Sequence, residues 1–260
     1  MSRTEAPPPA GGGQLSISAF FPCYNDGGTI ASMVALADLT LRRVASDYEI
    51  IIVDDGSSDH SREILKEMEG KYPRLRLVFH EKNRGYGGAL RSGFAACRKE
   101  WVFYTDGDFQ YDVAELPRLV LRAEEGADIV NGYKISRADP LHRKVIGRLY
   151  HHLMKTLFKF KIRDVDCDFR LIRRRALDRI TLEHDSGVIC VEMVKKLQDS
   201  GCVFAEVPVH HFFRAYGHSQ FFNLKRVAAV GVDIVKLWWK LVVRKGRARG
   251  GSPDVSAESR

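Results

Sequence analysis

Two carboxylates separated by one glycine are the residues best suited to chemistry in this sequence: Asp106, Gly107 and Asp108. They directly follow an apolar segment, Trp101–Thr105, which has the composition of a buried β-strand. Because glycine lets the backbone turn, both carboxylates can face one hard divalent cation, which prefers oxygen ligands and bridges diphosphate oxygens. The pair therefore predicts a site for a hard divalent cation at the end of a strand.

Three other polar clusters follow apolar segments in the same way. They are Pro22–Asp26 after Leu15–Phe21, Asp54–Asp59 after Glu49–Val53, and Gly132–Lys134 after Asp128–Val130. Each cluster alone could be an ordinary loop, because Asp, Gly and Ser are common turn residues. Ligands of open α/β sheets bind beyond the carboxyl ends of the strands, however. Four such clusters on one rim predict a binding site there.

The elements that must position these clusters alternate between short apolar segments and helical patterns. Glu49–Val53 is apolar on both faces, which is typical of a central parallel strand. A further strand is predicted at Arg74–Phe79, with helices over about 27–45, 59–70, 85–98 and 113–124. Beyond residue 140 the pattern predicts helices near 145–160 and 187–200, strands Phe169–Arg173 and Val203–Val207, and a last helix over about 222–245. The expected fold is α/β, with a mostly parallel, doubly wound sheet covered by helices on both faces.

Charge and cysteine content restrict the partners and the compartment. The chain has 260 residues and a net charge of +8, which suggests a phosphate-bearing or anionic partner, although a basic soluble surface is the simpler alternative. The five cysteines are scattered and lack CxxC pairs, which argues against a disulfide framework or structural zinc and favours a reducing cytoplasm. No apolar signal peptide is recognised, and residues 1–14 and 246–260 are expected to be disordered tails.

Six motifs, taken in order, resemble those of the family 2 glycosyltransferases of GT-A fold. They are FPCYND at 21–26, VDDGSSD at 53–59, NRGYGGALRSGF at 83–94, TDGDFQYD at 105–112, DVDCDFRLIRR at 164–174 and R-x-x-G-x-S at 214–219. The resemblance covers about 15–220 and is greatest to the polyprenyl-phosphate sugar synthases, typified by dolichyl-phosphate mannose synthase. It implies a Rossmann-like GT-A domain over residues 15–221 that uses a nucleotide-diphosphate sugar and a divalent metal.

The resemblance also implies roles for residues at the matching positions. Donor binding would involve Pro22, Tyr24, Asp26, Asp54, Asp55, Asp106 and Lys134. Binding of Mg²⁺ or Mn²⁺ would involve Asp106, Asp108 and Gln110. Arg143 and Arg214 would contact phosphate. Acceptor contacts would come from Asp168, Arg170 and Ser219. Lys134 stands where the family often has arginine, which keeps the charge but loses the bidentate reach, and Asp168 replaces a residue that is often glycine.

The glycine-rich run at 83–88 lacks the spacing of a dinucleotide-binding loop. We expect Gly87 and Gly88 to let the start of a helix pack closely beside the donor. For Arg91 the sequence leaves two interpretations open, a contact with phosphate or exposure to solvent.

The last predicted helix, 222–245, is amphipathic. Its narrow charged face carries Arg226, Asp233, Lys236, Lys240 and Arg244, and its broad apolar face carries Val227, Val230, Ile234, Trp238 and Leu241, joined by Val235, Trp239 and Val242. The apolar run 227–243 has 17 residues with three charges, whereas a membrane span needs about 20 mostly uncharged residues. We expect binding to the cytoplasmic surface of a membrane. The alternative is a helix that packs on the domain or on another copy in a homo-oligomer.

The acceptor determines whether a general base is needed. A phosphate monoester is ionised at neutral pH and can attack the anomeric carbon directly, whereas a hydroxyl would need a carboxylate, for which Asp185 and Glu192 are candidates. The sequence favours inverting transfer of a hexose from GDP-mannose or UDP-glucose to a polyprenyl or dolichyl phosphate. The first alternative is a family 2 enzyme acting on a saccharide hydroxyl. The second is a non-catalytic basic nucleotide- or nucleic-acid-binding module, although no nucleic-acid motif is present and no nucleic-acid partner is expected.

Overall fold

One seven-stranded sheet organises the protein in a computed structural model that describes residues 14–137, 149, 152–214 and 224–244. The strands are β1 Ser16–Cys23, β2 Asp47–Asp54, β3 Leu75–Phe79, β4 Trp101–Thr105, β5 Ile129–Arg137, β6 Phe169–Arg173 and β7 Phe204–His211. Their order across the sheet is β3-β2-β1-β4-β6-β5-β7. Six strands run in one direction, and β6 is antiparallel to both of its neighbours, β4 and β5.

Helices connect the strands and cover the sheet. They are α1 Ile30–Val44, α2 Ser61–Glu69, α3 Gly85–Ala96, α4 Leu116–Glu124, α5 152–158, α6 Arg174–Leu177, α7 Val188–Asp199 and α8 Leu224–Trp238. A 3₁₀ turn, Val113–Glu115, precedes α4, and a π-helical segment, Trp239–Arg244, continues α8.

Strand β2 shows why both faces of the sheet are covered. Ile50 and Ile52 pack with Met33 of α1 in one apolar core. Ile51 points to the other face and packs with Leu90 of α3 in a second core. A strand whose alternate side chains enter two cores must be apolar throughout, which is the pattern that the sequence shows. The prediction of a mostly parallel α/β sheet between helical layers is confirmed.

The polar cluster Gly132–Lys134 lies inside a strand rather than after one, which corrects the sequence interpretation. Strand β5 extends from Ile129 to Arg137 and pairs in parallel with β7, with an irregularity between Lys134 and Ser136. The pattern ended the strand at Val130 because polar residues follow, but pairing with β7 continues through them. Three of the four predicted clusters therefore follow strand ends, and the fourth does not.

The C-terminal helix packs on the domain. Ile234, Leu237 and Leu241 are buried in a third apolar cluster that they share with α5 and α7. The indole Nε1 of Trp238 donates a hydrogen bond to the carbonyl oxygen of Leu157 at 3.0 Å. Much of the apolar face that was expected to meet a membrane is thus covered by the protein itself, which corrects that part of the expectation. Within the described helices, none has both the length and the apolar character that crossing a membrane requires.

Candidate active site

The Asp106–Asp108 loop follows β4 and is fastened to the end of β1. The backbone N–H of Gly107 donates to the carbonyl oxygen of Pro22 at 3.2 Å, and the Gly107 carbonyl accepts from the hydroxyl of Thr29 at 3.2 Å. A Cβ atom at position 107 would lie 2.5 Å from the Pro22 oxygen, which is too close for any contact of that kind. The residue between the two carboxylates therefore has to be glycine for the loops to meet.

The two aspartates lie in surroundings that disfavour negative charge. Burial raises the pKa of Asp106 well above its usual range, and the carboxylates of Asp168 and Asp108 raise it further. Burial also raises the pKa of Asp108, which is only 3% exposed, while Arg214 opposes this shift. A buried carboxylate pair of this kind is stabilised by a cation, because the attraction compensates for lost hydration and mutual repulsion.

Arg214 brings a positive charge to this pair from the segment after β7. Its Nη2 atom donates to Oδ2 of Asp108 at 2.5 Å, and its Nη1 atom lies 3.8 Å from Oδ1 of Asp26. That Asp26 oxygen is buried and has no hydrogen-bond partner among the described residues. Burial raises the pKa of Asp26 to about 6, with the nearby Asp108 also acting upward. Two carboxylates from two loops, Asp108 and Asp26, thus lie beside one guanidinium.

The link between β7 and the Asp106–Asp108 loop passes through Gln110. Its side-chain amide donates to the carbonyl oxygen of Phe212 at 3.1 Å, and the Phe212 N–H donates to the Gln110 carbonyl at 2.8 Å. These two bonds place Arg214, two residues further on, beside Asp108. The predicted metal-binding role of Gln110 stays a prediction.

The loops after β1 and β2 form the predicted nucleoside side of the site. Tyr24 is 38% exposed, and its backbone N–H donates to Oδ2 of Asp26 at 3.1 Å. Asn25, which has a positive φ of 58°, accepts the Ser58 N–H at 2.8 Å and donates its own N–H to the Ser57 hydroxyl at 2.9 Å. The two loops are therefore joined by direct hydrogen bonds, and they border the carboxylate pair through Pro22.

Asp54 and Asp55, also predicted to contact the donor, are enclosed in this structure. Asp54 is fully buried and pairs with Nε of Arg62 at 2.6 Å. Asp55 Oδ1 lies 2.6 Å from Nδ1 of His80 and accepts the Arg84 N–H at 2.8 Å. Both carboxylates hold the loops in shape, and a direct contact with a nucleoside stays a prediction for each. His80 was not predicted from the sequence, because it lies 25 residues from its partner and belongs to no local motif.

Lys134 lies beside the segment before β6. Its Nζ atom donates to the carbonyl oxygen of Asp166 at 2.8 Å and lies 3.5 Å from Oδ2 of Asp164. Its side chain is 9% exposed, so the ammonium group is largely occupied by these protein partners. The predicted contact of Lys134 with the donor stays a prediction.

Arg170 supports the predicted acceptor region from beneath. Its side chain is 1% exposed and donates to Oδ1 of Asn131 at 2.5 Å and to Oδ1 of Asp168 at 2.7 Å. It also contacts the hydroxyl of Tyr104 and the carbonyl of Val165. These partners enclose the guanidinium, and the predicted acceptor contacts of Arg170 and Asp168 stay predictions.

The two candidate general bases lie in or near the loop that joins α6 to α7. Glu192 is fully buried and accepts the backbone N–H groups of Glu183 and His184, each at 3.1 Å, and Nζ of Lys196 at 2.6 Å. Burial alone would raise the pKa of Glu192, but these donors hold it below its usual range. Asp185 is 67% exposed at its side chain and pairs with Arg91. Neither carboxylate is poised as a free base: Glu192 is enclosed, and Asp185 is paired with a guanidinium.

Gly87 contacts this same loop, so the start of α3 packs closely there, and its position beside the donor stays a prediction. Its N–H donates to the carbonyl oxygen of Asp185 at 2.8 Å, and a Cβ atom there would lie 2.1 Å from the carbonyl oxygen of His184. The two interpretations of Arg91 are replaced, because its guanidinium donates to the His184 carbonyl and to Asp185. These contacts join residues 93 or more positions apart, which no local pattern reveals.

Two predicted residues, Arg143 and Ser219, lie outside the described residues. Within 14–137, 149, 152–214 and 224–244, no group of three or more His, Cys, Asp or Glu side chains is arranged to hold a metal ion. A cation at Asp106 and Asp108 would therefore need further oxygen ligands, which a diphosphate supplies. The chemistry of this donor set fits a cation that binds together with a nucleoside diphosphate.

Solved structures with the same fold include two 3-phosphoglycerate-linked sugar synthases. Glucosyl-3-phosphoglycerate synthase from Mycobacterium tuberculosis, solved with Mn²⁺, uridine diphosphate and glucosyl-3-phosphoglycerate, superposes with a TM-score of 0.68 at 18% identity and covers 87% of this chain and 79% of that one. Mannosyl-3-phosphoglycerate synthase from Rubrobacter xylanophilus gives a TM-score of 0.62 at 16% identity, covering 95% and 78%. At such identities the likeness shows the fold alone, and it confirms the GT-A-like architecture.

Comparison of sequences identifies the family. The undecaprenyl-phosphate 4-deoxy-4-formamido-L-arabinose transferase of Enterobacter sp. (strain 638) is 30% identical over 221 residues, which cover 84% of this chain. The match spans 66% of that relative's length. The family model "Glycosyl transferase family 2" matches residues 18–181, and five of the six predicted motifs lie wholly within this range. Because this match covers more than half of the chain, the protein belongs to glycosyl transferase family 2.

Proposed function

We propose that this protein transfers a hexose, with inversion, from a nucleotide-diphosphate sugar to a polyprenyl or dolichyl phosphate. GDP-mannose and UDP-glucose are the proposed donors. The observation that carries the proposal is the Asp106–Asp108 pair at the rim of the sheet of a family 2 glycosyltransferase, with Arg214 bound to Asp108. The name of the 30% identical relative, an undecaprenyl-phosphate transferase, supports the acceptor class. Family membership favours an enzyme over a non-catalytic nucleic-acid-binding module.

Asp106 and Asp108 would hold Mg²⁺ or Mn²⁺, with Gln110 as a further candidate ligand. The cation would neutralise charge on the diphosphate leaving group. Crystals of the M. tuberculosis synthase contain Mn²⁺ or Mg²⁺ with uridine diphosphate, which agrees with a divalent cation in this fold. In this protein, the pKa values of both carboxyls are raised, so their charged forms are disfavoured without a counter-ion. A bound cation would supply that counter-ion.

The remaining side chains would bind the donor and stabilise the transition state. Pro22, Tyr24 and Asp26 would border the nucleoside, and Arg214 would contact the diphosphate. An acceptor phosphate oxygen would form the new bond to the anomeric carbon as the bond to the diphosphate breaks, and the electron pair would leave with the nucleoside diphosphate. Positioning and charge stabilisation are then the main tasks of the protein.

The state of the two candidate bases supports a phosphate acceptor. A saccharide hydroxyl must lose a proton to a base near the reacting atoms. Glu192 is enclosed by four hydrogen bonds, and Asp185 is paired with Arg91. A phosphate acceptor requires no such base, because it is already ionised. The alternative of a saccharide acceptor would require Asp185 to leave its partner.

Asp185→Asn is expected to retain most of the transfer activity, because asparagine still accepts the hydrogen bond from Arg91 and no proton has to be removed. The rate should rise with pH as the acceptor phosphate loses its second proton, at about pH 6, and should be constant above that pH. The assay offers a radiolabelled nucleotide sugar to polyprenyl phosphate and to free saccharides side by side. Asp199→Asn, which alters an ion pair with Lys195 at the end of α7, serves as the matched control. Label found only on saccharide, with activity lost in Asp185→Asn, would contradict the phosphate acceptor but leave the glycosyltransferase assignment intact.

We further propose that the enzyme lies on the cytoplasmic face of a membrane, through the exposed side of α8. Val232, Val235 and Trp239 are each more than half exposed, and the basic side chains of Lys236 and Arg244 are exposed near them in sequence. Apolar side chains beside cations suit an interface with anionic lipid. A membrane-embedded acceptor would also require the enzyme to work at such a surface.

The double variant Val235→Glu/Trp239→Glu is expected to weaken binding to anionic phospholipid vesicles by about tenfold or more. Two apolar side chains that would enter the lipid surface are lost, and two negative charges are added beside anionic lipid. Both positions are exposed, so the melting temperature should change little. Leu121→Glu, an equally exposed leucine on α4, is the control and should bind like the native protein. Vesicle flotation measures the effect. Unchanged binding would show that α8 only packs on the domain, and a native dimer broken by the variant would assign the surface to a homo-oligomer.

A further inference from the structure

The hydroxyl of Tyr86 lies against the Asp106 carboxylate. Its oxygen is 2.6 Å from Oδ1 of Asp106, although the two residues belong to different elements, α3 and the loop after β4. Among the described residues this is the only hydrogen bond to that carboxylate. A phenol carries its proton at neutral pH, so the Tyr86 hydroxyl donates this short hydrogen bond and the carboxylate oxygen accepts it.

The place of Tyr86 is fixed by close backbone packing on both sides. It stands between Gly85, where α3 begins with a positive φ of 78°, and Gly87. A Cβ at Gly85 would lie 2.6 Å from the Asp185 carbonyl oxygen, and one at Gly87 would lie 2.1 Å from that of His184. The first turn of α3 is thus pressed against the loop before α7. Only glycines allow this approach, and it determines where the intervening tyrosine side chain starts.

The loop before α7 is itself held from several directions. Buried Glu192 accepts the backbone N–H groups of Glu183 and His184, as described above. Arg91 of α3 donates to the His184 carbonyl at 2.5 Å. Lys240, from the segment that continues α8, pairs with Glu183. The contacts run continuously from α7 and the C-terminal segment to the first turn of α3, and so to the phenol that meets Asp106.

We infer that Tyr86 is a positioning residue, whose hydroxyl holds one oxygen of the Asp106 carboxylate so that the other is presented to the donor diphosphate and its cation. The inference rests on the proposed function, because it assigns Asp106 the role stated there. Carboxylates that ligate metals are commonly fixed by a second hydrogen bond, and losing that partner typically weakens metal binding about 10- to 100-fold. The charges of Asp108 and Asp168 act on the same carboxylate, and a fixed donor offsets part of their repulsion.

Tyr86→Phe removes only the hydroxyl and leaves the ring in place. We expect Mn²⁺ to bind the variant at least about tenfold more weakly in the presence of uridine or guanosine diphosphate, measured by electron paramagnetic resonance of free Mn²⁺. The melting temperature without metal should stay close to that of the native protein. Tyr48→Phe is the matched control. The native Tyr48 hydroxyl also donates to a carboxylate, that of Asp38, at 2.7 Å. Tyr48 lies at the start of β2, however, whereas the loop of the candidate site follows the end of that strand. It should leave Mn²⁺ binding unchanged.

A double-mutant cycle distinguishes positioning from a general structural role. If Tyr86 acts through Asp106, Tyr86→Phe should weaken Mn²⁺ binding less than twofold in an Asp106→Asn background, because the two changes affect one interaction. Native-like Mn²⁺ affinity of Tyr86→Phe, together with weak binding by Asp106→Asn, would overturn the inference and leave the proposed function standing. Native-like affinity of Asp106→Asn would instead overturn the proposed function and this inference with it. Unfolding of Tyr86→Phe would assign the hydroxyl to stability and likewise overturn the positioning role.

Discussion

Asp106→Ala and Asp108→Ala are each expected to lower sugar transfer by about 10³-fold or more, and chelation with EDTA should do the same to the native enzyme. The reason is the charge of the diphosphate leaving group, which a cation held by both carboxylates would neutralise in the transition state. A bound cation contributes several kcal/mol to this kind of stabilisation, and about 4 kcal/mol corresponds to roughly 10³ in rate. Radiolabelled transfer with Mn²⁺ added back measures both effects.

The same variants should not unfold the protein, because the fold disfavours the charged form of each native carboxylate. Burial raises the pKa values of both carboxyls, and the charges of Asp168 and Asp108 raise that of Asp106 further, so the charged forms oppose folding at neutral pH. In EDTA, Asp106→Asn should therefore melt at or above the native temperature, and Mn²⁺ with nucleoside diphosphate should stabilise only the native protein. Asp47→Ala, at the other end of β2, removes an exposed carboxylate and should leave transfer unchanged. Full activity of either active-site variant in EDTA would refute metal dependence.

The fold could be predicted wherever burial leaves a periodic pattern. Trp101–Thr105 and Phe169–Arg173 are strands with the predicted bounds, because each is a short apolar or alternating segment between turns. The antiparallel insertion of β6 between β4 and β5 could not be predicted, since it depends on pairing partners far along the chain. The length of β5 was missed for a related reason, because pairing with β7 carries polar residues into the sheet.

The site could be predicted where a motif lies at the end of one strand, as with Asp106 and Asp108. It could not be predicted where one side chain fixes another across the fold. Tyr86, His80 and Glu192 each contact a residue on a different element, and none belongs to a local pattern that announces such a contact. The same holds for Arg170, whose enclosure by Asn131 and Asp168 depends on partners that no local motif reveals.

Arg214→Ala is expected to lower transfer by about 10²- to 10³-fold, which is the typical loss when one charged donor to the transition state is removed. In the absence of ligand, the guanidinium is bound to Asp108 and lies near the unpartnered Oδ1 of Asp26. We propose that it leaves Asp108 for the diphosphate when donor and cation bind. Arg214→Lys should recover only part of the activity, because lysine keeps the charge but not the two-pronged geometry. Arg122→Ala, which removes an exposed pair with Glu125, is the control.

The affinity for Mn²⁺ distinguishes a diphosphate-binding role of Arg214 from a purely structural ion pair. If Arg214 occupies the carboxylates only until the cation arrives, the variant should bind Mn²⁺ alone at least as tightly as the native protein, because a competing positive charge has been removed. Its melting temperature should fall in EDTA, where Asp108 loses its partner, and recover when Mn²⁺ is added. Transfer should stay low even at saturating Mn²⁺, since the missing group acts on the diphosphate. Recovery of full transfer by Mn²⁺ would show instead that Arg214 serves only as a counter-ion to the resting site.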